Sequence, residues 1–112
     1  MTDKFIFSLM KQLSRTLPGE NSHQIMKVKL NNDSNREPTL IKYASVLICL
    51  FPVNNNWNFF LTKRSTSVDH HKGQISLPGG MIEKGEDPMN AALRETNEEI
   101  GIQSKMIQII GE

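Results

Sequence analysis

In the first part of this chain, apolar residues recur with the spacing of an α-helix. Between Asp3 and Leu17 apolar residues recur every three or four positions, which predicts an amphipathic helix that ends before Pro18-Gly19. We interpret it as an ordinary packing helix. A later stretch from Asn31 to Pro38 has no apolar side chain except the proline and is rich in asparagine, so it predicts a loop. The apolar positions that define the helix are Phe5, Ile6, Leu9, Met10 and Leu13.

After this loop the pattern changes to short apolar runs, which predict strands. Tyr43 to Pro52 is one continuous apolar run, and its length favours a buried strand over a helix. Three consecutive asparagines, 54–56, predict a turn, and Trp57 to Thr62 then returns as the second strand of a hairpin. Two further short strands are predicted at Gln74–Leu77 and Met106–Ile110.

A second helix is predicted after a turn at Gly79-Gly80. Asp87 suits the N-cap and Pro88 suits the first helical position. Gly101 follows the last residue of the periodic pattern and suits the C-terminal cap. A stripe of residues at helical spacing is expected to be buried. This stripe consists of Met89, Ala92, Leu93, Thr96 and Ile100.

Three glutamates lie together on this predicted helix. Glu95, Glu98 and Glu99 are spaced as neighbours on a helix surface, and Glu86 lies just before the helix. Like charges at this spacing repel one another, so the cluster by itself would destabilise the helix. A divalent cation among the carboxylates would remove this repulsion, and Mg²⁺ and Mn²⁺ prefer such oxygen ligands. The alternative is a solvated acidic face in which Arg94 pairs with Glu98 one turn away.

The segment from Gly80 to Ile102 resembles the signature of the Nudix hydrolases. The signature fixes a glycine, a glutamate, an arginine-glutamate pair, two further glutamates and a final glycine-aliphatic pair at set spacings. Thr96 stands where that family prefers an aliphatic residue; its methyl group can pack while its hydroxyl bonds back to the preceding turn. The matching positions are Gly80, Glu86, Arg94, Glu95, Glu98, Glu99, Gly101 and Ile102.

This resemblance implies an α/β fold, namely the Nudix α/β/α sandwich with a mixed sheet. It also implies hydrolysis of a nucleoside diphosphate linked to another group, with Mg²⁺ or Mn²⁺ as cofactor. Arg94 would orient the acidic cluster by pairing with Glu86. The general base of this superfamily is a glutamate of the helix or one of a later loop, and here we expect Glu98 or Glu99. The metal ligands implied by the resemblance are Glu95, Glu98, Glu99 and the carbonyl group of Gly80.

The preceding segment, Leu61 to Gly80, resembles an additional motif of one Nudix subfamily, the coenzyme A diphosphatases. Leu61, Thr62, Arg64 and Ser65 match its first part, and Pro78-Gly79-Gly80 joins it to the signature. Asp69 departs from the motif, where the subfamily usually has an arginine. A guanidinium group suits recognition of phosphate. The substrate-binding residues implied are Arg64, Ser65, His71, Gly73 and Gln74.

The amino-acid composition limits the kinds of molecule and metal ion that this chain is expected to bind. The formal net charge is +1, so no strong basic field indicates nucleic acid or an anionic membrane. The resemblance to the coenzyme A diphosphatases implies a small nucleotide resembling coenzyme A as substrate. His70 and His71 are more typical of a loop than of a zinc site, because the other candidate ligands are all oxygens. The single cysteine, Cys49, falls in a predicted buried strand; it is interpreted as a small core residue and fits a reducing compartment such as the cytoplasm.

We expect two parts in the chain: an N-terminal helix and polar loop (1–38), and the N-terminal portion of a single Nudix domain (39–112). Nudix domains usually continue past the signature, so the sequence predicts a fold that is incomplete at its C-terminal end. A strand ending at Glu112 would leave an unpaired edge, which predicts marginal stability or self-association, for example as a homodimer. Three hypotheses follow: a coenzyme A or acyl-CoA diphosphatase, a Nudix hydrolase of ADP-ribose or a nucleoside triphosphate, and a non-catalytic binding fragment.

Overall fold

A computed structural model of the chain describes residues 3–26, 41–67 and 72–112. The loop predicted at Asn31–Pro38 lies outside the described residues, as do Asp69, His70 and His71. The chain divides into two compact units, one formed by residues 1–40 with 109–112 and the other by residues 41–108. Helices and short antiparallel strands are combined in it, which confirms the predicted α/β class.

The described residues of the first unit include two helices, α1 (Lys4–Leu13) and α2 (Glu20–Met26). Asp3 is the N-cap of α1, and its Oδ1 atom accepts a hydrogen bond from the Phe5 amide at 2.7 Å. The prediction that this helix continues to Leu17 was wrong. The helix ends at Ser14: the Arg15 amide bonds to the Gln12 carbonyl (3.1 Å) and not to that of Lys11, which instead accepts a hydrogen bond from the Ser14 hydroxyl at 2.9 Å.

Within residues 41–67 and 72–108, the second unit contains six strands, one α-helix and a short 3₁₀ helix. The strands pair antiparallel in three two-stranded sheets, β1 with β6, β2 with β3, and β4 with β5. The bounds are β1 (Ala44–Val46), β2 (Leu50–Val53), β3 (Asn56–Phe59), β4 (Thr62–Lys63), β5 (Ile75–Ser76), β6 (Gly79–Met81), α3 (Pro88–Ile100) and the 3₁₀ helix (Ser104–Met106).

The single buried strand predicted from Tyr43 to Pro52 was wrong. The run forms two strands, β1 and β2, which pair with different partners, and a hydrogen bond from the Leu47 amide to the Pro78 carbonyl (2.8 Å) extends the first pairing by one residue. Val46 and Ile48 are exposed by 56% and 61%. A continuous apolar run therefore does not imply one buried strand here. Cys49 is half-buried between the two strands, and burial raises the pKa of its thiol, which favours a packing role over nucleophilic chemistry.

The predicted hairpin around the three asparagines is confirmed, but its second strand ends at Phe59, and Thr62 belongs to β4, which pairs with β5. β2 and β3 pair in register from Leu50 with Phe59 to Val53 with Asn56. Asn54 and Asn55 have φ angles of 49° and 64°, which two-residue hairpin turns require and asparagine tolerates.

The helix α3 has the ends that the sequence predicts. Asp87 Oδ1 accepts a hydrogen bond from the Asn90 amide at 2.8 Å, and Gly101 adopts the left-handed conformation with φ of 74°. The helix packs on β1 and β6. The Thr96 hydroxyl is fully buried and donates to the carbonyl of Ala92 at 2.7 Å, as expected for a threonine at this position.

The buried stripe of α3 was predicted only in part. Ala92 and Thr96 are buried, but Met89 is 37% exposed and Ala91 is buried in its place. Small side chains at this face let the helix approach the strands closely, which leaves the longer Met89 outside the contact. Leu93 and Ile100 are half-buried.

The strand predicted at Met106–Ile110 is absent, since the described residues there form the 3₁₀ helix and then no regular element. The Met106 amide bonds to the Gln103 carbonyl (2.9 Å) and the Ile107 amide to the Ser104 carbonyl (3.0 Å), so local turns use these amides. The unpaired strand edge expected near Glu112 is accordingly not present. Along the described residues, no helix combines the length and the apolar character needed to cross a lipid bilayer.

Candidate active site

Gly80 forms the base of the site, and it lies in a strand. The turn predicted at Gly79-Gly80 was wrong, because both residues belong to β6 and pair with Val46 and Ser45 of β1. A Cβ atom at Gly80 would lie 2.5 Å from the carboxyl carbon of Glu95 and 2.6 and 2.8 Å from its two oxygens. The carboxylate of Glu95 therefore rests against the strand backbone in space that only a glycine leaves open.

Arg94 links the loop before α3 to the helix. Its Nε atom lies 2.9 Å from Glu86 Oε2 and its Nη2 atom lies 3.0 Å from Glu86 Oε1, which makes a two-point contact between guanidinium and carboxylate. The Nη2 atom also donates to the carbonyl of Met81 at 3.1 Å. The side chains of Arg94 and Glu86 are 26% and 17% exposed. The structure thus contains the Arg94–Glu86 pair that the sequence analysis expected.

The remaining nitrogen of Arg94 faces the acidic residues of α3. Its Nη1 atom lies 3.0 Å from Glu95 Oε1 and 3.4 Å from Glu98 Oε1. It also lies 3.9 Å from Glu83 Oε1 in the preceding loop. The guanidinium neutralises part of the negative charge that these carboxylates concentrate at one end of the site.

This charge network shifts the pKa of its central acid. The pKa of Glu86 is lowered, chiefly by the hydrogen bond from Arg94 and further by the amide of Glu83, while burial acts in the opposite direction. The carboxylates around Arg94, above all Glu86, raise the pKa of its guanidinium, so Arg94 stays charged.

Replacement of Glu86 by glutamine should make the free energy of unfolding depend less steeply on pH in the acidic range. Folding lowers the pKa of Glu86 below its usual value of 4.5. The ionised Glu86 carboxylate therefore contributes its full stabilisation above pH 4.5, and this stabilisation is lost as the pH falls through the lowered pKa. We expect the free energy of unfolding of the wild type to fall more steeply than that of the Glu86→Gln variant below about pH 4.5. Urea unfolding at neutral and acidic pH measures this, and equal slopes for the two proteins would contradict it.

A cleft lies between the β4–β5 hairpin and α3. Its volume is about 310 Å³. The register of the hairpin places Thr62 opposite Ser76, and the Thr62 hydroxyl lies 3.2 Å from the Ser76 carbonyl oxygen, to which it donates. The Arg64 amide donates to the Gln74 carbonyl at 2.8 Å, which continues this pairing by one residue. The residues lining the cleft are Thr62, Lys63, Arg64, Gln74, Ser76, Gly79 and Glu99.

The candidate residues fall into two groups that meet at α3. Arg64, Gln74 and Glu99 share the cleft, and the Gly73 amide donates to the Arg64 carbonyl at 3.1 Å. Glu86, Arg94, Glu95 and Glu98 form the charge network described above. Ser65 lies in the turn after β4, where its hydroxyl is 2.7 Å from that of Ser67, and His71 lies outside the described residues.

Sequence reasoning did not assign a role to Ser76, which also lines the cleft. Ser76 belongs to the β4–β5 hairpin, in which it pairs with Thr62. Pairing across the hairpin would have signalled Ser76 once its register was known, since opposite residues of antiparallel strands are close neighbours.

The acidic residues fit a hard cation by their chemistry, since all the predicted donors are oxygens. In the part of the chain that the structure describes, no group of three or more histidine, cysteine, aspartate or glutamate side chains is arranged to hold a metal ion. Glu95 and Glu98 both face Nη1 of Arg94, and Glu99 lines the cleft. Binding of a cation by all three carboxylates would therefore require rotation of these side chains.

Comparison with known proteins identifies the family. The family model described as "NUDIX domain" matches residues 42–112. This chain belongs to the Nudix family. It is 34% identical over 111 residues to Nudix hydrolase 3 of Caenorhabditis elegans, an alignment that covers 93% of this chain and 46% of that protein.

Two further relatives match shorter parts of the chain. Nudix hydrolase 15, mitochondrial, of Arabidopsis thaliana is 41% identical over 71 residues, covering 62% of this chain and 25% of that protein. The 8-oxo-dGTP diphosphatase of Escherichia coli is 43% identical over 49 residues, covering 44% of this chain and 37% of that protein. The chain thus spans less than half the length of each of these relatives.

Proposed function

We propose that this chain carries the site of a Mg²⁺-dependent hydrolase that cleaves the pyrophosphate of coenzyme A or an acyl-CoA. The products would be adenosine 3′,5′-bisphosphate and 4′-phosphopantetheine or its acyl derivative. One observation carries the proposal: a single cleft is lined by Arg64 and Gln74, from the segment that resembles coenzyme A diphosphatases, and by Glu99 of the Nudix signature. Family membership supports the reaction type, and the Leu61–Gln74 segment supports the substrate.

Cationic and polar groups of the cleft would bind the substrate. Arg64 and Lys63 supply positive charge beside Gln74 and the Thr62 hydroxyl, a combination that suits the oxygens of a pyrophosphate. When bound, a divalent cation held by Glu95, Glu98 and Glu99 would neutralise phosphate charge and lower the pKa of a coordinated water molecule. Mn²⁺ could replace Mg²⁺ in this role, since it prefers similar oxygen ligands.

The reaction forms one bond and breaks one. A water oxygen attacks a phosphorus atom of the pyrophosphate, the bond from that phosphorus to the bridging oxygen breaks, and a carboxylate takes up the water proton. Glu98 and Glu99 are the candidates for this general base. Of the two, Glu99 lines the cleft, while Glu98 lies 3.4 Å from Nη1 of Arg94. Arg94 and Glu86 would hold the helix and its carboxylates in place.

The second candidate function is hydrolysis of another nucleotide, such as ADP-ribose or a nucleoside triphosphate. The observation that favours it is the similarity to the Escherichia coli protein named 8-oxo-dGTP diphosphatase. The match to that protein covers 44% of this chain. We place this candidate behind the coenzyme A proposal because Arg64 and Gln74, from the segment that resembles coenzyme A diphosphatases, line the cleft.

A comparison of substrates tests which candidate is right. Coenzyme A, ADP-ribose and a set of nucleoside triphosphates are offered separately to the chain with Mg²⁺, and the products are separated by chromatography. We expect coenzyme A to give adenosine 3′,5′-bisphosphate with a kcat/KM at least about tenfold above the others, which corresponds to about 1.4 kcal/mol of discrimination. A preference for ADP-ribose or a triphosphate would support the second candidate and overturn the first.

A further inference from the structure

Glu83 and Arg94 form a contact that the proposed reaction does not use. One edge of the guanidinium is fixed, because its Nε and Nη2 atoms bond to Glu86 at 2.9 and 3.0 Å. The third nitrogen, Nη1, has three acidic neighbours. It lies 3.0 Å from Glu95, 3.4 Å from Glu98 and 3.9 Å from Glu83. The first two of these neighbours are proposed metal ligands, and Glu83 is not.

Two cations would compete for the same carboxylates. A divalent cation that binds Glu95 and Glu98 repels the positive charge of Arg94, whose Nη1 atom already contacts both. Glu86 and the Met81 carbonyl hold the other edge of the arginine, which keeps the side chain as a whole in place. A tilt about that edge moves Nη1 away from α3.

The carboxylate of Glu83 lies where it can accept a hydrogen bond from the displaced Nη1 atom of Arg94. The turn before α3 fixes its backbone: the Glu86 amide donates to the Glu83 carbonyl at 3.1 Å, and the Glu83 amide donates to Glu86 Oε1 at 3.2 Å. Its side chain is 70% exposed and can follow a small movement of the guanidinium. The gap of 3.9 Å to Nη1 is short enough for such a tilt to close into a hydrogen bond.

We infer that Glu83 is a positioning residue for the divalent cation: it receives Nη1 of Arg94 when the cation takes Glu95 and Glu98. The inference rests on the proposed function, because it assumes that these two carboxylates bind the cation. Glu83 acts through Arg94 and contacts neither cation nor substrate. Its presence makes it easier to displace Arg94 and so strengthens cation binding.

Binding of Mn²⁺ alone tests this role without any substrate. The electron paramagnetic resonance signal of free Mn²⁺ gives the Kd for the wild type and for the Glu83→Gln, Glu20→Gln and Glu98→Gln variants. We expect Glu83→Gln to raise the Kd roughly two- to fivefold, the range typical of an exposed ion pair. Glu20→Gln makes the same change of charge in α2 and should leave the Kd unchanged. In the wild type, Mg²⁺ should also shift the carboxyl ¹³C resonance of Glu83.

The outcomes separate this inference from the proposed function. An unchanged Kd for Glu83→Gln, or an equal increase for Glu20→Gln, would overturn the role of Glu83 and leave the metal site intact. Failure of the wild type to bind Mn²⁺, or undiminished binding by Glu98→Gln, would overturn both the metal site and the role of Glu83.

Discussion

The Glu98→Gln variant should hydrolyse its substrate about 100- to 10,000-fold more slowly than the wild type, the range typical for loss of a general acid or base. The amide of glutamine can neither take up a proton nor carry the negative charge that a divalent cation requires. The Glu98 side chain is 57% exposed and glutamine has the same shape, so the fold should persist with a stability change within about 0.5 kcal/mol. Initial rates and circular dichroism melts of the two proteins measure the two effects.

The control for this variant is Glu20→Gln, which removes a carboxylate from α2. It should retain the wild-type rate, because it changes the net charge equally without touching the charge network. Turnover of Glu98→Gln at the wild-type level would remove Glu98 from both the metal site and the list of possible bases.

The Gly80→Ala variant should lose activity and, to a smaller extent, stability. The added methyl group would meet the end of the Glu95 side chain at 2.5 to 2.8 Å, so the carboxylate of Glu95 must rotate away from β6. Because the atoms it meets belong to the end of a flexible side chain, the cost in stability should be at the low end of overpacking, about 1 kcal/mol. Displacement of a metal-binding carboxylate by about 1 Å can lower the rate about 100-fold. Chemical unfolding and initial rates, measured at a temperature at which the variant is folded, separate the two losses.

Gly101→Ala is the matched control for Gly80→Ala. Gly101 has φ of 74° and no atom within 4 Å of the position of a Cβ, so the substitution strains only the backbone at the end of α3. The cost of that strain is about 1–2 kcal/mol. We expect Gly101→Ala to lose stability and keep its rate. A Gly80→Ala protein that is as active as Gly101→Ala would contradict the packing of Glu95 against the β6 backbone.

The parts of the fold that follow local rules were predictable from the sequence. Asp87 and Gly101 mark the ends of α3 because capping depends on one or two residues, and Asn54-Asn55 marks the hairpin because few residues tolerate its turn. The division of residues 43–52 into two strands was not predictable. It depends on which strands pair with the run, and a continuous apolar pattern does not specify the partner.

The candidate site was predictable where its residues lie one helical turn apart. The proximity of Arg94 to Glu98 follows from the i,i+4 spacing, and their contact at 3.4 Å is present. The contact of Glu95 with Gly80 depends on the packing of α3 against β6, and the place of Lys63 in the cleft depends on the β4–β5 register. Both are tertiary features that spacing along the chain cannot give. The roles of these residues in catalysis and binding stay predictions.

Cleavage of coenzyme A with Mg²⁺ and, separately, with excess EDTA is the most direct test of the account. The central claim is that the cleft and the acidic helix form one cation-dependent site for a pyrophosphate. The account predicts that adenosine 3′,5′-bisphosphate and 4′-phosphopantetheine appear in equal amounts with Mg²⁺ and do not appear with EDTA. Equal product formation under both conditions, or no product with Mg²⁺, would contradict it.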